Sequence, residues 1–168
     1  MTFELKPISK AGIARAIEKA ERYRFLNQAW AAESICLDVL EVEPENQAAL
    51  IDLLLALTDQ FSEGLSGGVA RAREVLPRIR DEYKRAYYAG IICERRGIAQ
   101  LTSGTPGAGF AAYDWLREAM HWYEKAEAIR PIGNDDAILR WNTCARALDR
   151  NSHLIRDDET PYEPSLGE

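Results

Sequence analysis

The stretch Trp115 to Pro131, WLREAMHWYEKAEAIRP, constrains the fold more than any other. Small residues stand at Ala119 and Ala126, an aromatic at Tyr123, and a proline at Pro131. The spacing is Ala-x3-Tyr-x2-Ala-x4-Pro, which puts the first three on one face of a helix and stops that helix at the proline. A looser copy lies upstream in AAESICLDVLEVEP, as Ala32-x3-Cys36-x2-Val39-x4-Pro44. Two distant segments with one spacing predict a single helical unit used repeatedly.

The rest of the chain divides into helical pieces. Residues 1–8 form a lead-in, and Ser9 is a helix N-cap candidate. Ile13, Ala16, Ile17, Ala20 and Tyr23 then recur at helical spacing. A break near Asn27 precedes a second helix with Trp30, Ile35, Val39 and Leu40, ended by Pro44. Asn46 caps a third, carrying Leu50, Leu53, Leu54 and Leu57. EGLSGG at 63–68 is a loop. A fourth helix starts near Val69, and Pro77 predicts its kink or early end. A fifth covers roughly Glu82 to Gln100, and TSGTPGAG reads as a loop. The sixth is the stretch described first, and a seventh runs from Asp135 to about Asp149. DDETPYEPSLGE, short of apolar residues, predicts a mobile acidic tail. No stretch alternates long enough for a strand, so the expected class is all-α.

Composition sets outer limits. The chain has 168 residues, 46% apolar and 29% charged, enough for one domain with a core. No apolar run approaches the roughly 18 residues that span a bilayer, and the N-terminus lacks a secretory pattern. Cys36, Cys93 and Cys144 lie far apart with no CxxC, which predicts reduced, buried thiols and a cytoplasmic location. Net charge is −6, and five of the acids fall in the last twelve residues, which carry no base.

The repeated spacing resembles the second helix of a tetratricopeptide repeat, a helix–turn–helix unit of about 34 residues. The resemblance implies a right-handed superhelix of about seven helices, with repeats at 13–46, 47–80 and 81–133. The third would contain an inserted loop at 101–109, and a capping helix at 135–149 would close the array. Composition adds an acidic tail at 151–168 beyond the array. The first repeat matches at Ala20, Tyr23, Ala32 and Pro44. Gly90 stands where the family has a small packing residue, and Gly97 where it has a turn glycine. The family's tryptophan and its Leu-Gly pair are mostly absent. An ordinary helical bundle is the alternative.

No constellation of catalytic residues is evident. The loop Gly104 to Gly109 lacks the lysine of a phosphate-binding loop and follows a helix. His121 and His153 are not at metal-ligand spacing. The cysteines fall on apolar faces. Most of the aromatics, including Trp30, Trp115, Trp122 and Trp141, are expected in packing positions. The reading is therefore a non-enzymatic chain with no cofactor and no metal.

What remains is surface. The resemblance implies a concave groove formed by the first helix of each repeat. Its candidate lining is Ile17, Glu21 and Arg24, then Ile51, Leu55 and Thr58, then Lys84, Tyr87, Ile91 and Glu94. An apolar centre of this kind suits a peptide anchor. A basic patch is also expected at Arg71, Arg73, Arg78, Arg80, Arg85, Arg95 and Arg96, among which Glu74, Asp81, Glu82 and Glu94 are interspersed. The first expectation is an adaptor or scaffold that binds a peptide or protein partner in the groove. The second is a self-associating structural protein, its tail docked on a basic face. Nucleic acid is a weaker partner, and membrane insertion is not expected.

Overall fold

The computed structural model describes residues 2–63 and 68–154. Among these, every regular element is a helix. The seven α-helices are α1 (Ile13–Phe25), α2 (Ala29–Val42), α3 (Gln47–Asp59), α4 (Gly68–Val75), α5 (Glu82–Thr102), α6 (Ala108–Ala128) and α7 (Asp136–Arg150). Short 3-10 turns occupy Lys10–Gly12, Phe61–Glu63, Leu76–Arg78 and Ser152–Leu154.

Local chemistry sets several helix ends. The Asn46 side chain accepts a hydrogen bond from the Ala49 amide at 2.9 Å, and Asp81 does the same for Lys84 at 2.8 Å. Each satisfies an amide that has no partner within its own helix. Asn27 adopts φ 57° in the turn between α1 and α2, a conformation asparagine tolerates better than most residues. Pro77 sits in the 3-10 turn that ends α4. That helix is eight residues long, against 21 in α6.

Each helix packs on the next in order from α1 to α7, and α1 also packs on α3, and α3 on α5. Two apolar clusters result. The first holds Ala20, Val39, Leu50, Leu54, Leu57, Ala72 and Ile79 from the first four helices and the turn after them. The second holds Tyr113, Leu116, Met120, Tyr123 and Cys144 from the later ones. They are continuous: Ile92 of α5 lies in the first, and Leu55 and Tyr88 pack against both.

The region around residues 97–115 departs from expectation. Instead of an inserted loop over 101–109, α5 runs to Thr102 and α6 begins at Ala108. The additional residues lengthen two helices. Gly97 does not turn the chain. It lies within α5, where a Cβ would come 2.9 Å from Leu116 Cγ, so it lets α5 and α6 approach closely. Gly109 is helical too, and leaves room for Leu154. Gly90 is a packing position: a Cβ there would lie 2.4 Å from the Tyr123 ring. The closing helix starts and ends one residue later than expected.

Residues 2–9 precede the first turn, and Leu5, Lys6 and Pro7 line a small cavity with Asp38 and Glu41 of α2. The expected tail lies outside the described residues beyond Leu154, and the 63–68 loop does so at 64–67. No helix among the described residues is long and apolar enough to cross a membrane.

Candidate functional site

The most organised surface is the face shared by α1, α3 and α5. On α3, Leu50, Leu53, Leu54 and Leu57 point into the core, and Ile51 and Leu55 stay half-buried on the other side. Ile17 of α1 and Tyr87 and Tyr88 of α5 are half-buried as well. Together they supply the apolar and aromatic component of this face. Tyr87 meets Tyr88 edge-on at 5.2 Å and stacks on Tyr83 at 5.9 Å, arrangements that favour aromatic pairs.

A chain of ion pairs crosses the same three helices. Arg24 donates to Asp59 at 2.8 Å, and Arg95 donates to the same carboxylate and to Thr58. The partners Arg24 and Asp59 are 35 residues apart, and Asp59 and Arg95 are 36. Three successive odd-numbered helices are thus registered at a near-constant interval.

Below this face lies a buried network. Tyr123, fully buried, donates its hydroxyl to Glu94, and Arg140 of α7 donates to the other Glu94 oxygen at 3.1 Å. Burial, then the Glu94 charge, push the Tyr123 phenol well above its ordinary pKa, so it remains a donor. Burial is the largest influence on Arg140 and disfavours its charge, but Glu94, Tyr87 and Tyr123 together outweigh it and the guanidinium pKa is raised. Asp52 contrasts with Glu94. It is 6% exposed, and its buried Oδ2 has no hydrogen-bond partner. Burial, with Glu21 adding to it and Arg24 opposing, pushes its pKa up to about 6.

The expected groove residues divide into two groups. Ile17, Arg24, Ile51, Leu55 and Tyr87 are half-buried, and Glu21 and Lys84 are exposed. Thr58, Ile91 and Glu94 are 3%, 1% and 5% exposed, so they belong to the interior and cannot line an open groove. Arg24 meets Asp59, the residue after the expected Thr58. Sequence reasoning missed Asp52, Asp59, Tyr88 and Arg140. The Arg24, Asp59, Arg95 interval was the signal for Asp59.

Most arginines of the expected basic patch are engaged within the chain, although Arg71, Arg73, Arg78 and Arg80 stay exposed. Arg71 bonds Glu33, Arg73 pairs with Glu118 and sits over Trp115, and Arg80 pairs with Glu45. Arg78 donates to the Pro44 carbonyl, and Arg85 to the Ile79 and Arg80 carbonyls. Arg95 belongs to the ion-pair chain, which leaves Arg96 beside a cavity at Phe61 and Gly107. Trp115, Trp122 and Trp141 pack half-buried against the second cluster, as expected, whereas Trp30 is 69% exposed and Tyr123 is the largest fully buried side chain.

The three cysteines are buried and free, and burial pushes each thiol up to about 12, which suppresses thiolate chemistry. Among the described residues no group of three or more His, Cys, Asp or Glu is placed to hold a metal ion. A separate cleft of about 580 Å³ lies between the turn after α4 and the last turns of α6, floored by Ala86 and Ala89. No family model, curated protein or solved structure matches the chain.

Proposed function

We propose that the chain is a non-catalytic interaction module, a short tetratricopeptide-like array that holds a peptide or protein segment against the face of α1, α3 and α5. The observation that carries this reading is the ion-pair chain Arg24–Asp59–Arg95. Its partners recur at intervals of 35 and 36 residues, close to the period of about 34 in such repeats. It orders three helices beside a half-buried apolar set, Ile17, Ile51, Leu55, Tyr87 and Tyr88. A preformed surface of that kind limits the ordering cost of binding. The rigid aromatic rings suit anchor contacts. The insulated thiols favour binding over nucleophilic chemistry, and three free cysteines fit a reducing cytoplasm. Self-association through a basic face at 71–96 has less support, because those arginines are largely engaged within the chain.

The test is selection of random peptides on the folded protein, followed by amide chemical-shift mapping of the bound state. Shifts clustered on Ile17, Ile51, Leu55, Tyr87 and Tyr88 are expected. Shifts centred on another face, or failure to select any peptide, would count against the proposal.

A further inference from the structure

The cleft between the turn Leu76–Arg78 and the end of α6 has a structural cause. Helix α4 stops at Val75, so the back of α5 at Ala86 and Ala89 has no helix over it. Leu76 and Pro77 form one wall, and Trp122, Ala128 and Ile129 the other. Arg85 and Lys125 stand at the cleft and meet no carboxylate among the described residues, and Glu82 is its one acid. Along α6 the exposed residues Arg117, His121 and Lys125 follow at four-residue steps, two cations with an imidazole between them that lead to this cleft, while Glu118 of the same helix pairs with Arg73 and Glu124 with Trp141. Among the described residues Arg117 bonds the Met120 sulfur, and Lys125 lies 4.3 Å from the Trp122 ring centre.

We propose that the occupant of this cleft is the chain's own C-terminal segment, 155–168, laid along α6 in the same molecule. That segment carries Asp157, Asp158, Glu159, Glu163 and Glu168, with Tyr162 and Leu166 as anchors. Its departure point is fixed, because Leu154 is buried over Gly109 at the start of α6. At 1.5 Å per residue, Arg117 lies about 12 Å along α6 from Gly109, and Lys125 about 24 Å. At about 3.3 Å per residue, extended chain from Leu154 reaches the first distance near Asp158 and the second near Tyr162 and Glu163. Leu166, at about 40 Å of reach, leaves slack for the chain to cross the helix surface. Acid would therefore fall beside base, and an aromatic anchor beside Trp122. The other described cavities fit less well. Those at Asp38 and Glu41 and at Asp59 and Glu63 are acidic. The one at Arg96 is lined by hydroxyl and amide side chains, and offers an aromatic anchor less apolar surface.

The test is a paramagnetic label on a Ser165→Cys variant of the full chain. The native thiols are buried and hold their protons, so labelling is selective. Strong broadening of the Ala86, Ala89 and Lys125 amides is expected, and it should fade when Arg117→Glu and Lys125→Glu are added at these exposed positions. Absence of broadening there, broadening centred on another face, or persistence after both charge reversals would overturn the proposal. So would broadening seen only when labelled chains are mixed with isotope-labelled unmodified chains, because the contact would then be between molecules.

Discussion

The two halves of the molecule bury a carboxylate in different ways. The α1–α4 half is built on leucine, alanine and valine, and contains Asp52 with an unpartnered oxygen. The α5–α7 half is built around Tyr123, and its buried Glu94 has a phenol and a guanidinium as partners. Burial alone therefore does not decide what a carboxylate costs. Partners do, since an unpaired buried polar atom forfeits its solvation without return. The second half uses its buried acid to join α5, α6 and α7. The first carries one that opposes its own stability at neutral pH.

The largest expected effect removes the centre of the second half. Tyr123→Ala should cost about 3–5 kcal/mol, because it opens a cavity and strips a partner from Glu94. Chemical denaturation would measure it, and a loss under about 1 kcal/mol would show that this half is not organised around Tyr123.

The next effect has the opposite sign. Asp52→Asn should raise stability at pH 7 by about 1–2 kcal/mol, whereas Glu94→Gln should lower it. For Asp52 the folded pKa, about 6, lies above the 3.8 of an ordinary aspartate. Its stabilising contribution is thus complete below pH 4 and is lost as pH rises through 6, a difference of about 3 kcal/mol at 1.36 kcal/mol per unit. Melting temperatures of wild type and variant should converge at low pH. A constant gap between pH 4 and 8 would refute the role given to Asp52.

Gly90→Ala sharpens the comparison by sign. Alanine normally favours a helix over glycine by about 1 kcal/mol. Here its Cβ would strike the Tyr123 ring, so a net loss of about 1–3 kcal/mol is expected. A stabilised variant would mean that the ring yields. The smallest effect is at the seam: Asp59→Ala breaks two partly exposed ion pairs and should cost about 1 kcal/mol. Double-mutant cycles with Arg24→Ala and Arg95→Ala would locate the coupling.

Much of the helical layout was legible in the sequence, because caps and stops act locally. Asn46, Pro44 and Pro77 mark boundaries that depend on a few neighbours. The start of α6 was not legible. Gly107 and Gly109 read as loop, yet Gly109 is helical, and its glycine serves to leave Leu154 the space a side chain would fill. Gly97 misled for the same reason. The groove stripe on Ile17, Ile51 and Leu55 followed from helical period, but its depth did not. Whether Ile91, Thr58 and Glu94 are open or covered depends on how α5 sits against α3, α6 and α7, which no single helix encodes. The arginines of 71–96 looked like one patch in sequence and disperse once six of the seven find a carbonyl or carboxylate.

The most direct measurement is calorimetric titration of a selected peptide into wild type, an Ile51→Arg variant and a Trp122→Ala variant. Ile51 is half-buried on the proposed binding face, and Trp122 lines the cleft on the other side. A loss of at least tenfold in affinity is expected for Ile51→Arg, which is about 1.4 kcal/mol or more, with Trp122→Ala binding as wild type does. Unchanged affinity in Ile51→Arg, with the loss appearing in Trp122→Ala, would contradict the assignment of the α1, α3 and α5 face as the working surface.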